Sequence, residues 1–281
     1  MSAIGWYNGT RGALSEMTVP MNDRAVYFGD GCYEACLAVG TRVFALDKHL
    51  DRFYRSLDGL RIPFETDRKA LSAILADCLA AANEPAAVLY WQVSRATAPR
   101  THAFPANGAK PNLLITVTPK PSISNGRTVK LVTAEDIRYA MCNVKTLNLI
   151  PNILANERAK EAGADEAVFV RDGLVTEGSH TNVHILKDRR LFTHPADNRI
   201  LPGVTRLILL DLCKTLGIPA AEQAFSKEAL SDADEVLVTS STLGICRAAS
   251  VDGIAVGGKD EARYRRLLSA YGALFDREMR A

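Results

Sequence analysis

The sequence lacks a charge excess of either sign. Its 281 residues carry 34 Lys and Arg against 32 Asp and Glu, a formal net charge of +2. A nucleic-acid-binding or membrane-surface protein would need a strong basic excess, so neither role is supported. There is no apolar run long enough to span a bilayer. The start, MSAIGWYNGTRG, has no basic stretch followed by an apolar core, so no signal peptide is expected and the cytoplasm is the default location. Of six cysteines (Cys32, Cys36, Cys78, Cys142, Cys213 and Cys246), no two form a Cys-x-x-Cys pair, which argues against a disulfide framework or a zinc site. The five histidines also lack metal-ligand spacing, so no metal is expected. Gly29-Asp30-Gly31 lacks a third glycine and precedes a strand, so it is no dinucleotide fingerprint. Neither a phosphate-loop lysine motif nor a Gly-x-Ser-x-Gly elbow occurs.

What is present is the composition of an ordinary globular chain, 47% apolar and 23% charged. Its length allows one or two domains. Cys32 to Val39 reads as an apolar strand, and Gly40-Thr41 turns it into a second strand, Arg42 to Leu46. Asp47 then reads as the N-cap of a helix carrying Leu50, Phe53, Tyr54 and Leu57 at spacings of three and four. Asp67 opens another helix, through Leu71, Leu75 and Leu79. Ala87 to Ser94 and Leu113 to Thr118 read as strands. Pro, Ser and Gly concentrate between Pro119 and Gly126. This predicts an N-terminal domain over 1–119, a linker over 120–127 and a larger domain over 128–281. In the latter, Val129 to Thr133 is a strand, and Pro151 to Ala162 is a helix with proline in its first turn. Turns are expected at Arg171-Asp172-Gly173 and Lys187-Asp188-Arg189. Leu201-Pro202-Gly203-Val204-Thr205 opens a helix, Glu235 to Thr239 is a strand, and the tail from Lys259 is an amphipathic helix.

The stretch Arg138 to Leu186 holds the chemistry. Lys145 lies between an apolar run and a Thr-Leu-Asn turn. A lysine beside apolar residues sheds its charge more readily, because desolvation disfavours the ammonium. A neutral amine is the nucleophile that condenses with a carbonyl. Glu177, in the same site, would suit a protonated pyridine nitrogen. The two together suggest pyridoxal phosphate. Three features could hold its phosphate: Val204-Thr205 at a helix start, the hydroxyl cluster Ser240-Ser241-Thr242, and the fork-shaped guanidinium of Arg52. Each has a plainer alternative: an ordinary cap for Thr205, a turn for the hydroxyls, a surface ion pair for Arg52. In Pro99-Arg100-Thr101-His102, two side chains at i and i+2 could face one carboxylate; a solvated loop is the plainer alternative.

Taken together, the chain resembles the fold-type IV pyridoxal-phosphate enzymes, and among them the D-amino acid aminotransferases. The stretches that carry the resemblance are Tyr27-Phe28-Gly29-Asp30-Gly31-Cys32-Tyr33-Glu34, His49-Leu50-Asp51-Arg52, the loop Arg95 to Pro105, Lys145-Thr146-Leu147-Asn148-Leu149, Thr176-Glu177-Gly178-Ser179 with Asn182, and Leu201 to Arg206. The resemblance implies an α/β (α+β) chain: a small N-terminal α/β domain and a larger C-terminal domain with a barrel-like sheet. It implies that Lys145 carries the cofactor and then moves a proton, and that Glu177 faces the ring nitrogen. Arg52, Thr205 with the Val204 N–H, and Ser241 with Ser240 would hold the phosphate. Tyr33, Arg100 and His102 would hold the substrate α-carboxylate, the Arg100–His102 loop coming from the second copy of a homodimer. Substrates would be amino acids and 2-oxo acids. The chain departs from the pattern at His180-Thr181, where serines are usual; His180 is expected to be buried and hydrogen-bonded. Alternatives within the group are a branched-chain L-aminotransferase, an (R)-selective amine transaminase and an aminodeoxychorismate lyase. Outside it stands a non-catalytic cofactor-binding protein.

Overall fold

The structure, a computed structural model, describes residues 3–106, 108–120 and 125–280. Of the expected 120–127 linker, residues 121–124 lie outside the described residues. The chain forms two compact units: Met1–Ile123 with Val144–Asn148, and Ser124–Asn143 with Leu149–Ala281.

The first unit contains β1 (Ile4–Tyr7), β2 (Thr10–Ala13), α1 (Arg24–Phe28), β3 (Gly31–Val39), β4 (Arg42–Val43), α2 (Leu46–Leu60), α3 (Arg68–Ala82), β5 (Ala86–Ser94) and β6 (Asn112–Pro119). Its sheet runs β2-β1-β6-β5-β3-β4. The long antiparallel pair β3–β5 extends from Gly31 opposite Ser94 to Val39 opposite Ala86. Leu50, Phe53 and Leu57 of α2 and Leu71, Leu75 and Leu79 of α3 share one buried core with Leu89 and Trp91 of the sheet. Asp67 caps α3 as expected, accepting from the Ala70 N–H. Asp47 does not cap α2. The cap position is Ala45, in the left-handed region at φ 53, and Asp47 sits in the first turn. β4 stops at Val43, shorter than the expected Arg42–Leu46, and Leu46 instead opens α2.

The second unit contains β7 (Thr128–Glu135), α4 (Ile150–Glu161), β8 (Glu166–Arg171), β9 (Leu174–Gly178), β10 (Asn182–Lys187), β11 (Arg190–Thr193), α5 (Val204–Thr215), β12 (Ala220–Glu222), α6 (Glu228–Asp232), β13 (Glu235–Ser240), β14 (Gly244–Val251), β15 (Ile254–Ala255) and α7 (Glu261–Arg280). A curled, barrel-like sheet is ordered β12-β11-β10-β13-β14-β7-β8-β9, with β15 on β14. The turns at Asp172-Gly173 and Asp188-Arg189 have positive φ, as tight two-residue hairpins require. Leu267 and Tyr271 of α7 are buried, in keeping with its apolar stripe. Among the described residues no helix is long and apolar enough to cross a membrane.

Candidate active site

In the first unit, Lys145 lies on an extended segment laid beside the start of β3. The Tyr33 N–H donates to the Lys145 carbonyl (3.0 Å), and the Leu147 N–H donates to the Gly31 carbonyl (3.1 Å). The Lys145 N–H donates to Ser56 Oγ on α2, at 3.2 Å. The backbone of Lys145 is therefore held on both sides. Its Nζ stands 4.1 Å from the centre of the Tyr33 ring, so two of the singled-out residues meet.

Side chains alternate along β3, so Glu34 points to the face opposite Tyr33 and is fully buried. A buried carboxylate needs partners. Residues three apart on a helix share a face, and His49 and Arg52 on α2 supply them. Arg52 donates from Nε to Glu34 Oε1 and from Nη2 to Oε2, both at 2.8 Å. His49 Nδ1 lies 2.7 Å from Oε2. Burial pushes the Glu34 carboxyl up, but Arg52 and then His49 outweigh it and hold the group down at about 2. Burial lowers the His49 pKa despite Glu34. Arg52 is therefore no surface ion pair; its guanidinium is fixed from below by an acid that sequence reasoning did not single out. Its signal was visible: an acidic residue inside the apolar strand Gly-Cys-Tyr-Glu-Ala-Cys-Leu-Ala-Val.

Arg100 and His102 are exposed. Both gather on one ring: the Arg100 guanidinium is 5.2 Å from the centre of Phe28, and the His102 ring meets it edge-on at 5.6 Å.

In the second unit, Glu177 is the penultimate residue of β9, buried. Its Oε2 accepts from Asn182 Nδ2 (3.1 Å) and from the Leu201 N–H (3.0 Å), and Oε1 accepts from Arg138. Burial raises its carboxyl to about 7, Arg138 opposing and Asp136 assisting. Arg138 is itself divided. It donates to both oxygens of Asp136 at 2.9 and 2.8 Å, and lies over the Phe169 ring. Arg138 and Asp136 were given no role from sequence; their signal is two opposite charges two apart at a strand's end.

Asn182 also donates to the Leu201 carbonyl (2.8 Å), tying Glu177 to the turn before α5. An added Cβ at Gly203 would fall 1.9 Å from Asn182 Oδ1, so any other residue here would displace the Asn182 side chain. Gly203 is also the cap of α5 and provides no side-chain acceptor. The cap is thus Gly203 rather than Thr205, and the helix presents the backbone N–H groups of Val204 and Thr205 at its positive end. The Thr205 side chain is hydrogen-bonded to Tyr271. Ser240 closes β13, its Oγ 3.5 Å from Thr242 Oγ1 in the turn that contains Ser241. His180 is not buried. Its side chain is 47% exposed and its Nδ1 lies 2.9 Å from the buried Glu166.

The amino-transferase class IV family profile matches residues 31–251, most of the chain. The chain belongs to the class IV aminotransferases. It is 37% identical over 253 residues to the D-alanine aminotransferase of Bacillus licheniformis, covering 89% of each chain. It is 35% identical to that of Staphylococcus haemolyticus, covering 86% of this chain and 87% of the other. The fold is shared with the branched-chain aminotransferase of Thermoproteus uzoniensis, at a TM-score of 0.89 and 22% identity over 100% of this chain and 97% of that one. The branched-chain amino acid aminotransferase from Escherichia coli gives 0.86 at 25% identity, covering 99% and 96%. The protein is thus an aminotransferase of fold type IV.

Proposed function

We propose that this aminotransferase moves the amino group between D-amino acids, D-alanine among them, and 2-oxo acids, with pyridoxal 5'-phosphate as cofactor. The observation that carries the D-amino acid reading is the loop on which Arg100 and His102 gather, exposed, around Phe28. Relatives at 37% and 35% identity, both D-alanine aminotransferases, support it.

The residues present suit the cofactor's chemistry. The start of α5 lacks a side-chain cap, which leaves its first N–H groups to an anion. Glu177 is a buried carboxylate with one oxygen taken by Arg138 and the other by two neutral donors. We assign the phosphate to Arg52, Val204, Thr205, Ser240 and Ser241, the ring nitrogen to Glu177, and the covalent attachment to Lys145. When bound, pyridoxal phosphate supplies an aldehyde that takes up the amino group and a ring that spreads the charge left at the α-carbon.

Lys145 Nζ would shuttle the proton between the substrate α-carbon and the cofactor carbon that bears the amino group, acting from one side only. Tyr33, Arg100 and His102 hold the α-carboxylate. With the proton's side and the carboxylate both fixed, the side chain has one direction left, and a single hand of amino acid is accepted. Positioning and proton transfer together contribute several powers of ten in rate. The first 2-oxo acid leaves before the second enters, a ping-pong order.

We assign a homodimer. Ile150, Ile153 and Leu154 lie at i, i+3 and i+4 on α4 and are 66, 59 and 61% exposed, an apolar face suited to a second copy. Six free cysteines fit a reducing compartment, the cytoplasm. The test is an assay offering D- and L-alanine with 2-oxoglutarate. The D-enantiomer should turn over faster by about a hundredfold or more, the scale of a misplaced reacting group; faster turnover of L-alanine would reject the reading.

A further inference from the structure

Arg24 stands on α1, a short helix opened by Asp23, whose side chain accepts from the Ala25 N–H. The arginine is only 4% exposed. A guanidinium so placed must spend its donors on the protein. Its Nε donates to Asp30 Oδ2 at 2.7 Å. Its Nη1 donates to the carbonyl of Thr101 at 2.7 Å and to that of Ala103 at 3.3 Å. Thr101 is the residue between Arg100 and His102. The backbone that carries both side chains is thus held at its midpoint by one buried cation.

The rest of the loop is fastened to the same group of residues. Asp30 also accepts from Arg95, at 2.9 Å to Oδ2 and 3.0 Å to Oδ1. Arg95 lies 3.8 Å from the centre of the Phe104 ring, at the far side of the loop. The Ala98 N–H donates to the Asn22 carbonyl at 3.0 Å, next to α1. Phe28, at the end of α1, has the Arg24 guanidinium 4.9 Å from its ring centre, and Arg100 and His102 against it. Burial pushes the Asp30 carboxyl up, but Arg95 and Arg24 outweigh it and leave it below its ordinary value, so both arginines face an anion.

We propose that Arg24 is a positioning residue for substrate specificity: through the Thr101 and Ala103 carbonyls it fixes Arg100 and His102 in the geometry that receives a substrate carboxylate. The proposal rests on the reading of Arg100 and His102 given above. Arg24 is itself buried and donates to Asp30, Thr101 and Ala103. Its effect reaches the reaction only through the loop.

The test is a double-mutant cycle in the holoenzyme, with Arg24→Met, Arg24→Lys and Arg100→Ala, scored on KM and kcat for D-alanine and on the Kd for pyridoxal phosphate. Arg24→Met should raise KM by about tenfold while kcat and cofactor Kd stay within about threefold, the pattern of lost binding rather than lost chemistry. Arg24→Lys keeps the charge on a single donor nitrogen and should recover part of the KM. In the Arg100→Ala background, Arg24→Met should add little, because residues acting as one unit are not additive. Multiplicative KM effects would overturn the proposal. So would a joint fall of kcat and cofactor affinity in both Arg24 variants. If Arg24→Met does not fold, the cycle runs on Arg24→Lys with the same criteria. Should Arg100→Ala leave KM unchanged, the reading of the loop itself fails; should Arg100→Ala raise KM and Arg24→Met not, only the role of Arg24 fails.

Discussion

Two buried glutamates, each in contact with an arginine, are pushed in opposite directions. Glu34 is held at about 2 and Glu177 is raised to about 7. Burial alone would raise both. Glu34 has both oxygens paired with Arg52 and the His49 ring beside it. Glu177 receives one oxygen's worth of Arg138, whose guanidinium is already forked onto Asp136. Asp136 then repels the second acid. The lesson is that the number of anions per guanidinium, more than the presence of an arginine, sets the protonation of a buried acid. The first arrangement is built to stay charged. The second leaves a carboxyl poised near neutrality, in keeping with the role proposed above for Glu177 beside the cofactor's ring nitrogen.

The comparison can be broken most severely at Arg52. Arg52→Met leaves Glu34 uncompensated and should destabilise the apoprotein by about 3–5 kcal/mol in urea unfolding. A loss under ~1 kcal/mol would mean that the pair is not what keeps Glu34 ionised. Next in size is the acid limb of stability. The folded Glu34 carboxyl lies below its ordinary value, so its contribution is fully present above pH of about 4.5 and lost as pH falls towards 2, on the order of 3 kcal/mol in all. Glu177 works the other way, its contribution being lost as pH rises through about 7. Glu34→Gln should flatten the acid limb; an unchanged limb would assign it to other carboxylates. The smallest and sharpest effect is expected from Asp136→Asn, which frees Arg138 for Glu177. The Glu177 carboxyl should fall by about one unit in a carbon NMR titration of the apoprotein; no shift, or a rise, would show that shared charge is not the cause.

Much of this was legible in the residues, and what was not has a physical reason. Lys145, Glu177 and the Leu-Pro-Gly-Val-Thr turn stand out because each sets a charge or a turn-forming residue among glycine or apolar neighbours. Period-two and period-four patterns gave the elements of both units, because a buried face must be apolar. Asp47 misled, since a left-handed alanine leaves no trace in sequence and an acidic first-turn residue looks like a cap. His180 was expected to be covered, yet its ring stays half outside and reaches back to Glu166. Glu34, His49 and Arg24 were given no role for another reason. Ion pairing is settled by partners distant in sequence: 15 and 18 positions separate Glu34 from His49 and Arg52, and 77 separate Arg24 from Thr101.

The five residues Val144–Asn148 belong to the first unit although both flanking segments belong to the second. Lys145, to which the covalent attachment is assigned above, is therefore supplied to its scaffold by a detour of the chain rather than by the scaffold's own contiguous sequence. A gene severed between the two units would yield a front half with a slot beside its third strand and no lysine to fill it. Anyone dissecting this enzyme by truncation, fusion or circular rearrangement must carry that short crossing along, or graft it onto the end of the first piece.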